Sequence, residues 1–315
     1  MARTSYSVSV PGSLMLMGEH AVLRGYPSLV AAIDKRIKVT ATPRRDRNIH
    51  IVSALGEVTW SLDALPAADP TLKFMLAAVQ TLAAQLKRGY DLVVDAAFSD
   101  QLGLGSSAAV VVGTLAVLIQ ASTEKTMAPM DLLNMAREVI QRVQGFGSGA
   151  DAAASIFGGV VFHTPGHTTE VIAKTLPWVV VYSGSKEKTT QVVKKVNARV
   201  LAQPRLMRTI FDAMQQGIVE AVEAIQTQNW AAVGQVMNAQ QGLMNALGVS
   251  NATLEALIAT LRQAPGILGA KISGSGLGDC VVAVGSPLLE DPLPIVLPQQ
   301  RLDAPISPGG ILYAQ

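Results

Sequence analysis

The stretch Gly103-Leu104-Gly105-Ser106-Ser107-Ala108-Ala109 opens a long apolar segment, Ser106 to Ala121, whose spacing predicts a helix. A strand is predicted just before it, over Tyr90 to Phe98. Glycines let backbone amides approach a phosphate without an intervening Cβ, and the first turn of a helix offers free N–H groups and a positive dipole end. The stretch therefore predicts a phosphate-binding loop, while an ordinary helix capped after a glycine turn stays an open alternative.

Two other phosphate-binding motifs fit this chain less well. The same letters satisfy the dinucleotide pattern G-x-G-x-x-A, but there the glycine turn follows its strand directly, and here Ser99 to Leu102 intervene. The motif G-x-x-x-x-G-K-[ST] is missing because the dipeptide Gly-Lys does not occur. A dehydrogenase is therefore the weaker interpretation.

A second glycine-rich segment, Gly145 to Gly149, precedes Asp151 and a run of small residues. A carboxylate among small side chains is easy for a substrate to approach, and it could accept or stabilise a hydroxyl proton during phosphoryl transfer. An aspartate before an alanine-rich stretch is also a common helix cap, and this segment alone favours the cap.

A third segment, Lys271 to Cys280, predicts a strand, a glycine loop from Gly274 to Gly278 and a further element. It could wrap phosphates from the opposite side or form a simple turn. Near the N-terminus, Glu19 and His20 follow an apolar stretch and could contact a ligand, although a solvated turn is the more ordinary interpretation.

Composition excludes several classes of protein. The 315 residues are 49% hydrophobic with a formal charge of +2, so disorder and a surface dominated by nucleic-acid binding are not indicated. The start shows no signal peptide, and the apolar run Ala108 to Ser122 is shorter than the roughly 20 residues that span a bilayer. A single Cys fits a reducing cytoplasm. His163 and His167 are disfavoured as a metal site because Pro165-Gly166 separates them.

The order of predicted elements indicates an α+β protein in two parts. Strands and helices mix up to Gly145, Thr189 to Leu261 is almost continuously helical with breaks near Pro204, Asn229 and Ser250, and strands return at Ile267 and Cys280. We expect an N-terminal half over residues 1–157 and a C-terminal half over residues 158–315. The first strand, Ser5 to Val10, is expected to end at Pro11-Gly12.

Taken together and in this order, the blocks resemble the GHMP kinase superfamily from Pro11 to about Val284. Within it, the block Gly18-Glu19-His20-Ala21-Val22-Leu23 is most similar to mevalonate kinases. The resemblance implies an N-terminal half like ribosomal protein S5 domain 2 and a ferredoxin-like C-terminal half. It also implies a cytoplasmic enzyme of isoprenoid biosynthesis that uses ATP and Mg²⁺ to phosphorylate the hydroxyl of mevalonate. A homodimer is left open, and neither nucleic acid nor membrane is an expected partner.

The resemblance also assigns residues to roles. Asp151 is expected to be the catalytic carboxylate, and Ser106 or Ser107 to contact Mg²⁺. Glu19, His20 and Thr189 are expected to bind the acceptor. The residues expected to bind ATP are Gly103, Leu104, Gly105, Ser106, Ser107, Ala108, Gly274, Ser275 and Gly276.

Several positions depart from the family pattern. Ser13 stands where mevalonate kinases usually have Lys, and Lys35, Lys186, Lys188 or Lys271 could compensate. The family's metal-binding Glu falls at Ile140, with Glu138 on nearly the opposite side of the helix. Leu277 and Asp279 replace glycines of the third block. The open alternatives are a kinase for phosphomevalonate, a sugar or another small alcohol, and a protein of this fold that binds ligand without catalysis.

Overall fold

The computed structural model describes residues 5–98, 102–285 and 300–314. Its larger sheet has the order β12-β1-β2-β5-β3-β4, with β6 paired to β2 and β7 paired to β6. Neighbouring strands are antiparallel except β3 and β5, which run parallel. The strands are β1 (Tyr6–Met17), β2 (Ser28–Pro43), β3 (Asn48–Ser53), β4 (Gly56–Ser61), β5 (Tyr90–Ala96), β6 (Val160–His163), β7 (Thr169–Ala173) and β12 (Leu312–Tyr313).

Four helices accompany this sheet. They are α1 (Lys73–Leu82), α2 (Ser106–Thr123), α3 (Pro129–Gln144) and α4 (Ala150–Phe157). Short 3₁₀ turns occur at Val22–Arg24 and Ala83–Gln85. Helix α2 packs on β1, β2, α1 and α3, so a helix that is apolar on all sides is what this position needs. It is also long and apolar enough to cross a membrane, but 61% of that window is buried inside the protein, as in an ordinary core helix.

The smaller sheet lies in the second part of the chain and has the order β11-β8-β10-β9. Its strands are β8 (Trp178–Tyr182), β9 (Ile267–Ser273), β10 (Cys280–Gly285) and β11 (Gln300–Leu302). The associated helices are α5 (Thr189–Ala202), α6 (Pro204–Gln226), α7 (Trp230–Ala246) and α8 (Ala252–Gln263). A second apolar core, which includes Val181, Phe211, Leu257 and Ile272, fills the space between this sheet and its helices.

The predicted α+β architecture in two parts is confirmed, and so are the helical breaks near Pro204, Asn229 and Ser250. The predicted end of the first strand at Pro11-Gly12 is wrong. The strand continues to Met17 because a register shift between Pro11 and Gly12 takes up the irregularity. A bulge tolerates a proline, which has no N–H for the ladder, so the strand bends without ending.

The predicted boundary between two domains, after residue 157, stays a prediction. The hydrogen-bonded sheets are distributed differently along the chain, because β6, β7 and the C-terminal β12 belong to the larger sheet. Residues 99–101, which separate the predicted strand from the glycine stretch, lie outside the described residues.

Candidate active site

The glycine stretch before α2 forms a tight turn that leads directly into the helix. Gly103 and Gly105 have left-handed φ values of 70° and 68°, and Gly105 is the N-cap of α2. Among the described residues no side chain caps this helix end, so the first backbone N–H groups and the hydroxyls of Ser106 and Ser107 are not used for capping there. Both serines are partly exposed. The turn therefore offers an anion-binding helix end with two adjacent hydroxyl groups.

Strand β1 contacts this turn next to its bulge, which lies between Pro11 and Gly12. The backbone N–H of Ser13 donates to the carbonyl of Leu104 at 3.0 Å. A Cβ on Gly105 would lie 1.9 Å from Ser13 Oγ, and one on Gly12 would lie 2.6 Å from the Leu104 carbonyl oxygen. A side chain at position 105 would therefore clash with the Ser13 hydroxyl, and one at position 12 would clash with the Leu104 backbone, so glycine is required at both.

Asp151 lies in the first turn of α4, after Gly149, which has a left-handed φ of 88°. Its Oδ1 accepts a hydrogen bond of 2.7 Å from Ser13 Oγ. Burial raises the pKa of Asp151, and the hydrogen bond from Ser13 opposes that rise. Ser13 thus contacts both Asp151 and the helix-start turn, and it brings the carboxylate and the N-terminus of α2 together.

The loop between β9 and β10 reaches the same place from the second part of the chain. Gly274, Gly276, Leu277 and Asp279 all have left-handed φ values, between 61° and 90°. A Cβ on Gly103 would lie 2.8 Å from Asp279 Oδ1. The two glycine loops are therefore in contact through the Asp279 side chain.

Glu19 and His20 lie under this second loop. His20 is 4% exposed, and its Nε2 lies 2.8 Å from the carbonyl oxygen of Ser275. Burial lowers the pKa of His20. Glu19 is 3% exposed, and its Oε1 lies 2.5 Å from Nζ of Lys271. Three nearby polar atoms, Glu19 Oε2, His20 Nδ1 and Ser275 Oγ, are buried without a hydrogen-bond partner among the described residues.

The lysines considered as substitutes at position 13 are placed very differently. Lys271 is fully buried against Glu19, where burial lowers its pKa and Glu19 opposes the change. Lys35 lies 3.8 Å from Asp303 across the surface. The charge of Lys186 reaches the glycine loops, because it lowers the pKa of Asp279, and Lys188 is the exposed N-cap of α5.

Other predicted positions are not brought into this cluster. Thr189 is the first residue of α5 and is exposed. On α3, Glu138 is exposed and Ile140 is buried, so neither supplies a carboxylate to the loops. His163 contacts Thr169 Oγ1 and the Ser148 carbonyl. Within the described ranges, no group of three or more His, Cys, Asp or Glu side chains forms a metal cluster.

Arg137 lies near this cluster and was not among the residues predicted from the sequence. This partly exposed residue of α3 lines a cavity of about 330 Å³ together with Gln141, Ser148 and the turn around Leu23. The cavity lies beside the segment that leads into Asp151. The positive charge of Arg137 also contributes to the lowered pKa of His163. A lone arginine on an amphipathic helix gives no sequence signal of such a role.

Comparisons with known proteins identify the family of the chain. The model for the GHMP kinases N terminal domain matches residues 73–159, and the model for the GHMP kinases C terminal matches residues 221–291. The mevalonate kinase of Aeropyrum pernix is 33% identical over 293 residues, covering 90% of this chain and 89% of that protein.

Two solved structures share the fold. The Lin0012 protein from Listeria innocua has a TM-score of 0.87 at 20% identity, covering 99% of both chains. The Methanococcus jannaschii mevalonate kinase has a TM-score of 0.74 at 22% identity, covering 89% of this chain and 90% of that one. The matches to the two family models and to the Aeropyrum pernix enzyme show that the chain is an ATP-dependent phosphotransferase. It belongs to the GHMP kinase family, and within that family it is similar to the mevalonate kinases.

Proposed function

We propose that this chain transfers the γ-phosphoryl group of ATP to the hydroxyl of mevalonate at a site formed around Ser106 and Asp151. The observation that carries the proposal is the position of Ser13. Its backbone is bonded to the helix-start turn at Leu104, and its hydroxyl is bonded to Asp151. Ser13 thus connects the turn proposed to bind phosphate with Asp151, the carboxylate proposed to accept the proton.

In the proposed complex, ATP phosphates lie on the amide groups of Gly103 to Ala108 at the start of α2. The helix dipole and the free N–H groups favour negative charge there. Gly274, Ser275 and Gly276 approach the nucleotide from the other side, which the contact between Asp279 and Gly103 supports. Holding the γ-phosphoryl group in line with the acceptor is the main contribution of the protein.

Asp151 is proposed to receive the acceptor proton. The acceptor oxygen forms a bond to the γ-phosphorus, the bond from that phosphorus to the β,γ-bridging oxygen breaks, and ADP leaves. The hydroxyl proton passes to the Asp151 carboxylate, which already accepts a hydrogen bond from the Ser13 hydroxyl. Burial raises the pKa of Asp151 and therefore makes it a better proton acceptor than a solvated carboxylate.

The donor set suits a magnesium ion. Mg²⁺ prefers oxygen ligands and is usually held by one or two carboxylates together with substrate phosphates. Ser106 and Ser107 would hold it through their hydroxyls, which are partly exposed and are not used to cap α2. When bound, the ion neutralises phosphate charge during transfer.

The acceptor is proposed to extend from Asp151 towards the cavity beside Ser148. Arg137 lines that cavity and would suit the carboxylate of mevalonate, whereas a neutral sugar offers it no charge. Contacts of the acceptor with Glu19, His20 and Thr189 stay predictions. Isoprenoid biosynthesis in a reducing cytoplasm is the proposed setting, in keeping with the one free, buried cysteine, Cys280.

The acceptor is tested by ADP release from the purified chain with ATP and one alcohol at a time. Mevalonate, phosphomevalonate, galactose and homoserine form the panel. We expect release with mevalonate well above the other three. ADP release with only one of the other alcohols would identify that alcohol as the acceptor in place of mevalonate. Nucleotide binding without acceptor-dependent ADP release would indicate a protein that binds ligand without catalysis.

The role of Asp151 is tested by Asp151→Asn, which keeps the shape of the side chain and removes the proton acceptor. We expect turnover to fall by about 10²- to 10⁴-fold, the range for loss of a general base, while ATP affinity changes little. Asp131→Asn, at an exposed position in the first turn of α3, is the matched control. Wild-type turnover in Asp151→Asn would remove this residue from the mechanism.

A further inference from the structure

Asp279 occupies an unusual position between the two glycine loops. Its φ of 63° is left-handed, a region that favours glycine. Its backbone N–H donates to the Ser185 carbonyl at 2.8 Å, and its own carbonyl accepts from the Ser183 N–H at 2.9 Å. The residue is therefore fixed by its backbone in a conformation that costs energy for an aspartate.

The side chain points at the phosphate loop. A Cβ on Gly103 would lie 2.8 Å from Asp279 Oδ1, and one on Gly274 would lie 3.7 Å from Oδ2. The residue is 5% exposed, and Oδ1 is buried without a hydrogen-bond partner among the described residues. A buried carboxylate oxygen without a partner is costly unless it serves a ligand.

Charges around Asp279 do not cancel this cost. Burial raises its pKa to about 6, and Lys186 opposes that rise. The carboxyl group is therefore mainly ionised at pH 7.5. Other carboxylates at the cleft already have partners, because Asp151 is bonded to Ser13 and Glu19 to Lys271.

An ionised carboxylate against Gly103 would repel nucleotide phosphates on the same loop, and a divalent cation between them would reverse the sign of the interaction. We propose that the Asp279 carboxylate makes nucleotide binding at the two glycine loops depend on a divalent cation, which it shares with the phosphates. The inference rests on the proposed function, since it needs ATP at Gly103 to Ala108. It gives this cleft a carboxylate for the cation although Ile140 and Glu138 supply none.

The test measures binding, not turnover. ADP is titrated into the full chain by calorimetry, once with Mg²⁺ and once with EDTA. For the wild type we expect Mg²⁺ to tighten ADP binding by at least about tenfold. In Asp279→Asn, binding without metal becomes tighter and the benefit of Mg²⁺ falls by about tenfold. Glu170→Gln makes the same change in net charge at an exposed site on β7 and leaves the ratio unchanged.

A second variant guards against a folding defect. Asp279→Gly suits the left-handed φ and also removes the carboxylate, so it is expected to repeat the loss of cation dependence. Water-proton relaxation by Mn²⁺ in the presence of ADP provides an independent readout, with weaker enhancement in both variants than in the wild type.

The two hypotheses fail in different ways. A wild-type ratio of affinities in both Asp279→Asn and Asp279→Gly, with ADP still bound, would overturn the role of Asp279 alone. Failure of the wild type to bind ADP or ATP under any condition would remove the proposed function and this inference with it.

Discussion

Two carboxylates at this cleft, Glu19 and Asp151, are held in opposite ways. Glu19 is paired with the fully buried ammonium of Lys271, whereas in the described part of the chain Asp151 has only the hydroxyl of Ser13 as its hydrogen-bond partner. A carboxylate hydrogen-bonded to a buried ammonium from another strand holds two parts of the chain together. A carboxylate with a neutral partner can change its protonation state during a reaction. The difference separates the structural contact of Glu19 from the chemical role proposed for Asp151.

The lysine that the family pattern places at position 13 is absent, and Lys271 does not replace it. Lys271 lies on β9 and reaches back to Glu19 at the end of β1, so its charge is used between the two parts of the chain. In the proposed mechanism, phosphoryl transfer without a lysine at position 13 would depend on the α2 N-terminus and a bound cation for charge stabilisation.

The largest effect is expected from breaking the Glu19 pair. Lys271→Met leaves Glu19 buried without its cation, and we expect the free energy of unfolding to fall by about 3–5 kcal/mol. Urea unfolding measures this loss. Lys35→Met, which removes a surface ion pair with Asp303 at 3.8 Å, is the control and should cost under about 1 kcal/mol.

The double variant Lys271→Met with Glu19→Leu sharpens the same comparison. Replacing both partners removes the uncompensated charge, so most of the lost stability should return. If Lys271→Met alone costs no more than Lys35→Met, the pair is not the structural contact that its burial indicates.

Asp279, a buried carboxylate that is attracted by the charge of Lys186, should show a third behaviour. Its pKa is raised to about 6 by burial, above the ordinary value of 3.8. Because the folded-state pKa is the higher one, its contribution to stability is fully present below pH 3.8 and is lost as the pH rises through 6. Relative to Asp279→Asn, the wild type should therefore lose up to about 3 kcal/mol between pH 4 and pH 7.

Urea unfolding of both proteins at several pH values measures this difference. The neighbouring thiol of Cys280 does not mimic the effect, since burial raises its pKa to about 12. A stability difference that is the same at pH 4 and pH 7 would contradict a raised pKa at Asp279.

How much of the structure could be predicted from the sequence depends on whether the residues involved are close together or far apart along the chain. Local signals worked: the glycines at 103 and 105 predicted a turn before a helix, and Pro204 and Asn229 predicted helix breaks. The first strand was wrongly predicted to end at Pro11-Gly12, because a Pro-Gly pair is compatible both with a bulge and with the end of a strand. Such local errors did not alter the architecture.

Long-range contacts could not be predicted from the letters. Ser13 and Asp151 are 138 residues apart, and Lys271 and Glu19 are 252 apart. The sequence showed each residue but not its partner, so Lys271 looked as available for catalysis as Lys186. The packing of β9 against β1 shows that Lys271 is used in a buried ion pair with Glu19.

The smallest expected effect tests the neutral partner of Asp151. Ser13→Ala removes a hydrogen bond to a carboxylate, and we expect a loss of stability of about 1–3 kcal/mol. The more telling change is in activity. The hydrogen bond from Ser13 holds the pKa of Asp151 below the value that burial alone would set, so its removal raises that pKa. The ionised fraction of Asp151 at a given pH then falls, and the acidic limb of the kcat/KM profile moves to higher pH. Ser13→Thr keeps a hydroxyl and should leave the limb near its wild-type position. An unmoved limb in Ser13→Ala would mean that the proton acceptor is a group other than Asp151, and the contrast with Glu19 would lose its chemical meaning.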